Sequence, residues 1–588
     1  MTRAMETSPI DKATSTRVVL AAAVLAILPF VNALGAGFTF DDIPSIRENP
    51  AVTQGIDPVG ALASPLFEVN YRPFTVLTFA VNEALAPGNA TWFHVVNVLL
   101  HACVTVAVLA LARQLFKSTQ LAAIAAALFA VHPIHTEAVT NLVGRAELMA
   151  ALFGLVALLT AVRTDAARGW SRVALQSLSW TSFSLAVLSK ESGLTILPLI
   201  PMLRIACRGE PWGRGLWREL KSLDWVPYGL CAGLFVLLRS YVIGVATMPN
   251  VTNRLNNVLI FVPWPVRIAS ALGVLWDYFG LLNVPMVLAA DYSYNQVPVI
   301  RSWTDLRLLA GLGIVIAGAL LAARHRASAV RFAAAFPLVT LSLTANIVVA
   351  IGTVKAERLL YLPSIGWVLL VAYSLDHLLR NRRFRWATMA ALCLMIALFG
   401  ARTWIRNWDW KDNATLFRSM VVGAPWSAKA RFNWGAVLEH EEGNDDGALL
   451  QYRRALDIYP VPEAALAVGT IYERKGRLGE ALMWYEKSLE FAPGFWAAHE
   501  HLCSLLVRQK QFARAEVACR RGLRYTPGNE FLLARVGVSL VGRGTRDEGI
   551  DLLRHCLTIN PDDTALRAYL SQLEMSGPTG HVERVARQ

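Results

Sequence analysis

Long apolar runs separated by short charged breaks fill the first four hundred or so residues, and a polar, periodic pattern follows them. Apolar stretches of roughly 17–25 residues predict membrane-spanning helices. They fall near 18–37, 93–112, 119–133, 145–162, 172–189, 192–206, 225–242, 305–323, 332–351, 361–378 and 385–402, eleven in all. A further apolar stretch at 257–284 contains Pro263, Pro265, Arg267 and Asp277. It reads either as two short interfacial helices or as one more span. The first run follows Arg3, Lys12 and Arg17, as a signal peptide would. Its full-span length, with no clear small-residue cleavage site before Asp41, predicts an uncleaved first helix.

Loop charge sets the sidedness. Basic clusters occur at Arg113/Lys117, Arg163/Arg168/Arg172, Arg204 to Lys221, Arg324/Arg326/Arg331 and Arg380/Arg382/Arg383/Arg385. Eleven spans place all five clusters and the N-terminus on the cytoplasmic side. Counting 257–284 as a crossing would put the last two clusters outside, so that stretch is read as an excursion on the outer face. The C-terminal region then lies outside as well.

The second pattern begins near residue 427. Small residues recur at Gly435, Gly469, Cys503 and Gly537, each 34 apart, and prolines at Pro460, Pro493, Pro527 and Pro561. A second small position recurs at Ala448, Ala481, Ala515 and Gly549. This period and these contacts describe about four tetratricopeptide repeats, helix pairs that stack into a concave surface suited to extended peptide.

Composition agrees with a polytopic membrane protein: 55% hydrophobic, 17% charged, with a mean hydropathy of +0.41. The net charge of +13 lies in short clusters between apolar runs, which argues against a nucleic-acid partner. The seven cysteines show neither a CxxC pair nor metal-ligand spacing. Cys503 and Cys519 face each other within one repeat; an oxidising compartment could bridge them, and free core thiols are the favoured expectation. No P-loop, dinucleotide fingerprint, serine-nucleophile elbow or zinc-protease motif occurs, which argues against ATP-driven transport and serine hydrolysis.

Polar residues at membrane edges carry the candidate chemistry, because charge there is costly unless it is paired or used. Asp41 and Asp42 follow the first run. Either can serve as general base toward an acceptor hydroxyl, or the pair can hold a divalent cation such as Mg2+ or Mn2+; the alternative is a solvated loop or helix cap. Arg145, Lys190 and Arg358 are candidates for a donor phosphate. Arg72, His132, His135, Glu137, Glu147, Glu191 and Glu357 would form the site wall or hold the acceptor. Pro133 interrupts any regular helix presenting both histidines, so a polar wall is favoured over a metal site. On the expected topology these segments all reach the outer face.

Read in order, FTFDD (38–42), YRPF (71–74), FHVVNVLLH (93–101), HPIHTEAVTNLVGRAE (132–147), LSKESG (188–193) and AERLLYLPSIG (356–366), with the terminal repeats, resemble the transmembrane and tetratricopeptide repeat-containing protein O-mannosyltransferase family, of the GT-C class of membrane glycosyltransferases. The resemblance implies transfer of a sugar, typically mannose, from a polyprenyl phosphate to Ser or Thr hydroxyls of proteins. It implies an acidic base in the first external loop, which maps onto Asp41 beside Asp42, and repeats that bind or present the acceptor protein. The array is shorter than in animal members. Richness in Ala and Arg suggests a bacterial member, with undecaprenyl phosphate in place of dolichyl phosphate and the site on the periplasmic face of the inner membrane.

The expected fold is therefore all-α. Residues 1–17 form a cytoplasmic segment. Residues 18–403 form a GT-C-like membrane domain with a first external loop at 38–92 and an excursion at 243–304. A helical bridge follows at 404–426, repeats at 427–573 and a flexible tail at 574–588. Two alternatives remain: a transferase acting on a glycan or lipid acceptor, and a non-enzymatic membrane scaffold with recruiting repeats.

Overall fold

The computed structural model describes residues 9–66, 70–244 and 253–575. The expected tail beyond Met575 and residues 1–8 of the N-terminal segment lie outside the described residues. The regular elements are helices, in two compact units that meet at Pro425 and Trp426.

In the first unit, six helical segments are long and apolar enough to cross a membrane: Thr16–Gly35, Ala90–Phe116, Leu142–Arg163, Leu223–Ile243, Leu306–Arg324 and Arg385–Trp408. A seventh arises if Thr119–Ala130 and Pro133–Val139, bent by 52° at their break, count as one. The expected eleven is thus corrected to six or seven. The physical reason is where helices stop. An apolar run measures composition, but a span also needs an unbroken helix. The 192–206 run holds a 13-residue helix interrupted by Pro201. The 332–351 run ends its helix at Leu341, after 14 residues. The 361–378 run starts its 17-residue helix only at Ser364 and carries Asp376 and His377. Helix Gly169–Ser189 is long enough but carries Gln176, Ser179 and Ser182. The sidedness drawn from eleven spans loses that support.

Residues 257–284 do not form two short interfacial helices. Asn257 caps a 3-10 turn by accepting from Leu259 N at 2.9 Å, and a single 20-residue helix, Trp264–Asn283, follows. Pro263 and Pro265 sit where a helix start tolerates a missing N–H.

Helix Ala90–Phe116 is capped by the Asn89 side chain and ends at Lys117, whose φ of 53° breaks the helical path. Its 27 residues extend about 40 Å. It packs against Thr119–Ala130 and Arg145–Arg163, and these helices hold the largest apolar core. Leu142–Arg163 is 78% buried, whereas Leu306–Arg324 is 11% buried and faces outward along most of its length.

The second unit consists of helix pairs. They are Ala428–His440 with Asp445–Ile458, Pro462–Arg474 with Leu478–Phe491, Trp496–Arg508 with Phe512–Leu523, and Glu530–Arg543 with Arg546–Ile559, and Thr564–Met575 closes the described array. The small positions work as the 34-residue period predicted. A Cβ on Gly435 would meet the Tyr452 ring at 2.7 Å, and one on Gly469 the Tyr485 ring at 2.5 Å. Each of these tyrosines donates to a glutamate on the preceding helix, Glu439 at 2.8 Å and Glu473 at 2.5 Å. Replacing Gly469 by Val should therefore lower the stability of the repeat unit by about 1–3 kcal/mol through overpacking. Urea denaturation followed by the repeat tryptophans reads this, and an unchanged midpoint would refute the tight contact. Cys503 and Cys519 are joined by a disulfide between the two helices of the third pair, which corrects the expected free thiols.

Candidate functional site

The turn after the first span separates the two adjacent carboxylates. Phe40 adopts a left-handed φ of 49°, uncommon for a bulky residue. Its N–H donates to Asn413 Oδ1 at 2.9 Å and its ring meets Phe417 edge-on. Asp42 consequently points inward and is fully buried. Its Oδ2 accepts from Thr39 N at 3.1 Å and its Oδ1 from Val143 N at 3.0 Å. Burial pushes its carboxyl up to about 7, against the lowering effect of those two amides. Asp41 points outward, and its side chain is 31% exposed.

Arg358 lies across from Asp41, with Nη1 3.6 Å from Asp41 Oδ2. The same Nη1 is 3.0 Å from Glu137 Oε1, and the Arg358 backbone N–H donates to Glu137 Oε2 at 2.8 Å. Glu137 is fully buried and wholly engaged in seating this arginine. Glu137 comes from the helical turn after Pro133, so the break in the HPIHTE segment is what aims it. Gly144 is required nearby because a Cβ there would run into the Ala138 backbone.

Two more pairs close the cluster. Lys190 and Glu147 form a buried ion pair. Arg72 grips Glu191 in a fork, Nη2 to Oε1 at 2.9 Å and Nε to Oε2 at 3.2 Å. Lys190 interacts electrostatically with Glu147, Arg72, Glu191 and Arg358, and Arg358 with Asp41 and Glu147. Asp41, Arg72, Glu137, Glu147, Lys190, Glu191 and Arg358 thus belong to one constellation, drawn from five separate stretches of chain.

The other expected residues sit elsewhere. Arg145 is fully buried. It donates to Asn97 Oδ1 at 2.9 Å, Asn82 Oδ1 at 2.8 Å, and the Thr78 and Phe93 carbonyls at 3.2 Å, with Phe79 4.6 Å from its guanidinium. Its donors are taken up in holding the first loop against helix Ala90–Phe116. His132 bonds the Leu282 carbonyl at 3.0 Å and His135 bonds Ser364 Oγ at 3.0 Å, both within an aromatic core. Glu357 is buried and accepts from Ala289 N at 2.6 Å and Tyr292 OH at 2.8 Å, with Arg406 4.0 Å away. These residues shape the scaffold and leave the open cluster to others.

Sequence reasoning did not single out Asp291, Tyr292 or Arg406. Only their position in the folded chain, where Tyr292 and Arg406 surround Glu357 and Asp291 faces Arg358, marks them out. A divalent cation does not suit the Asp41–Asp42 pair, because both Asp42 oxygens already hold backbone amides and the two carboxylates face apart. Among the described residues no group of three or more His, Cys, Asp or Glu could hold a metal.

No family model matches the chain. Curated relatives do. The chain is 31% identical over 502 residues to protein O-mannosyl-transferase TMTC3 of Homo sapiens, covering 79% of this chain and 54% of that protein. It is 30% identical over 461 residues to protein O-mannosyl-transferase F38B6.6 of Caenorhabditis elegans, covering 74% and 62% respectively. This chain is a homologue of the named protein O-mannosyl-transferases. It is also 30% identical over 484 residues to TMTC4 of Homo sapiens, covering 73% of this chain and 64% of that one. The chain spans between about half and two thirds of the length of these transferases, all three of them animal proteins. Among solved structures, the TPR protein YrrB covers 34% of this chain and 98% of its own at 14% identity and a TM-score of 0.24. The repeats are read from this chain's own helix pairs.

Proposed function

We propose that the chain is a membrane glycosyltransferase that moves a sugar, mannose by analogy with its named homologues, from a polyprenyl phosphate to Ser or Thr hydroxyls of proteins. The observation that carries this reading is the Asp41–Arg358 pair. It offers one partly exposed carboxylate beside one cation that a buried glutamate also holds through the same nitrogen. Asp41 takes the proton from the acceptor hydroxyl as its oxygen attacks the anomeric carbon. The bond from that carbon to the phosphate oxygen breaks on the opposite face and the configuration inverts. The electron pair leaves with the polyprenyl phosphate, and Arg358 stabilises the developing charge. Of the three cations expected at the phosphate, Arg358 is the one this reading keeps in that role. Lys190 is held by Glu147, and Arg145 by neutral acceptors in the core.

We further place the repeats on the outer face of a bacterial cell membrane, where they would gather acceptor proteins. Two observations support this. Seven crossings, counting the bent pair as one, put the chain's two ends on opposite sides, and basic residues before the first span favour the inside for the N-terminus. The Cys503–Cys519 disulfide suits an oxidising compartment.

The test is transfer by the purified full chain from radiolabelled polyprenyl-phosphate mannose to an envelope-protein extract, repeated with other donor sugars. Alkali-labile label in protein is the expected result. Label only in glycan or lipid would move the acceptor assignment, and no label from any donor would overturn the enzyme reading in favour of a scaffold.

A further inference from the structure

An open cleft of about 480 Å³ lies between helix Trp264–Asn283 and the segment that follows it. That size falls within the range of small-ligand sites. Trp276 and Asp277 line it from the helix, Tyr292 and Gln296 from the segment that follows, and Lys355 lines it as well. Lys355 Nζ is 3.4 Å from Asp277 Oδ2 and 4.4 Å from the centre of the Tyr292 ring. Trp276 is 42% exposed and stacks with Phe279 at 6.1 Å between ring centres, which leaves part of its surface open to a ligand.

The chemistry of this lining is selective. A carboxylate, an ammonium and a primary amide supply donors and acceptors of both kinds within one small space, beside aromatic surface. A phosphate would face the Asp277 carboxylate. A purely apolar ligand would strip water from Lys355 and Asp277 without replacing its hydrogen bonds. A pyranose satisfies both demands, because its hydroxyls both donate and accept while its C–H face lies against an aromatic ring. The rim favours a lipid-linked sugar: Val284, Met286 and Val287 are 63–66% exposed and offer an apolar path for an isoprenyl chain.

The cleft also adjoins the transfer site. Lys355 and Arg358 are three residues apart, so their Cα atoms are separated by at most about 11 Å. Arg358 contacts Asp41, and Asp291, beside Tyr292, interacts electrostatically with Arg358. We infer that this cleft is the subsite for the glycosyl group of the lipid-linked donor, with Asp277, Gln296 and Lys355 holding its hydroxyls. The inference rests on the transferase reading above and names where the transferred sugar sits.

The test measures binding of two probes to the purified full chain: a short-chain isoprenyl-phosphate mannose and the same isoprenyl phosphate without sugar. In Asp277→Asn the sugar-bearing probe should bind about 10-fold more weakly or worse, and the sugarless probe within about 2-fold of wild type. Equal losses for both probes, or none, would overturn the inference. So would a wild type that binds the two probes equally. Should Asp277→Asn misfold, Trp276→Ala, at an exposed position, carries the same comparison. A mannosylated peptide that competes for the cleft in an Asp277-dependent way, where the bare peptide does not, would overturn the donor assignment and give the subsite to the acceptor. Selective binding of the sugar-bearing probe without any transfer to protein would sustain the subsite and sink the transferase reading, so the two failures are distinct.

Discussion

Asp41→Asn should abolish transfer while leaving the fold intact. The substitution keeps the shape and an oxygen toward Arg358 but removes the proton acceptor. A positioned general base contributes typically 10²–10⁴-fold, so kcat should fall by about that range. Donor KM should change by no more than a few-fold, because Arg358 keeps its seat on Glu137 through two hydrogen bonds. The thermal midpoint should hardly move: the Asp41 carboxyl is 31% exposed, and a partly exposed ion pair at 3.6 Å contributes less than about 1 kcal/mol. Steady-state transfer kinetics and a melting curve on the same preparation read both halves. A variant retaining more than a tenth of wild-type kcat would remove Asp41 from the role of base.

Asp42 should behave in the opposite way, although it is the next residue. Its two oxygens accept from two backbone amides of separate segments. In Asp42→Asn one oxygen becomes an NH2 group, which leaves one buried N–H without an acceptor and costs about 1–3 kcal/mol. Asp42→Ala, which removes both acceptors, should be worse and should release the turn from Val143. The pH dependence separates this anchor from a catalytic acid. Folding raises the Asp42 carboxyl from its ordinary 3.8 to about 7, chiefly by burial. The folded chain therefore binds more protons than the unfolded chain between those values. The stabilising contribution of the protonated form is complete below about pH 4 and is lost as pH rises through 7, with an amplitude on the order of 4 kcal/mol. Denaturation midpoints of wild type minus Asp42→Asn, measured from pH 4.5 to 8, should decline with pH. A flat or rising difference would contradict a buried, charge-disfavoured carboxyl. Activity lost in Asp42→Asn should follow the lost stability and return on cooling, which a missing base would not do.

Much of this chain is legible in order of residues. The 34-residue spacing of Gly435, Gly469, Cys503 and Gly537 states that one helix must approach another closely, and the Tyr452 and Tyr485 rings occupy the space a Cβ would need. Periodicity is a local property, so it survives the step from sequence to structure. Membrane spans are less local. Apolar composition marks the segments, but Pro201, the helix end at Leu341 and the late start at Ser364 decide which become continuous helices. Eleven runs accordingly yield six or seven candidate spans.

The sequence by itself determined which residue types stand at the membrane edges: the paired aspartates, the basic residues and the histidine–glutamate segment. It could not rank them, because rank depends on partners far away along the chain. Asp41 and Asp42 are chemically identical and adjacent. A left-handed Phe40, held by Asn413 from the far end of the unit, turns one outward to Arg358 and the other inward to Val143. Arg145 and Arg358 read alike as phosphate-binding cations. Tertiary structure surrounds the first with amide and carbonyl acceptors in the core and sets the second beside an open carboxylate. Burial and pairing are properties of the folded neighbourhood, and they alone separate the side chains that hold the scaffold from those left free to act.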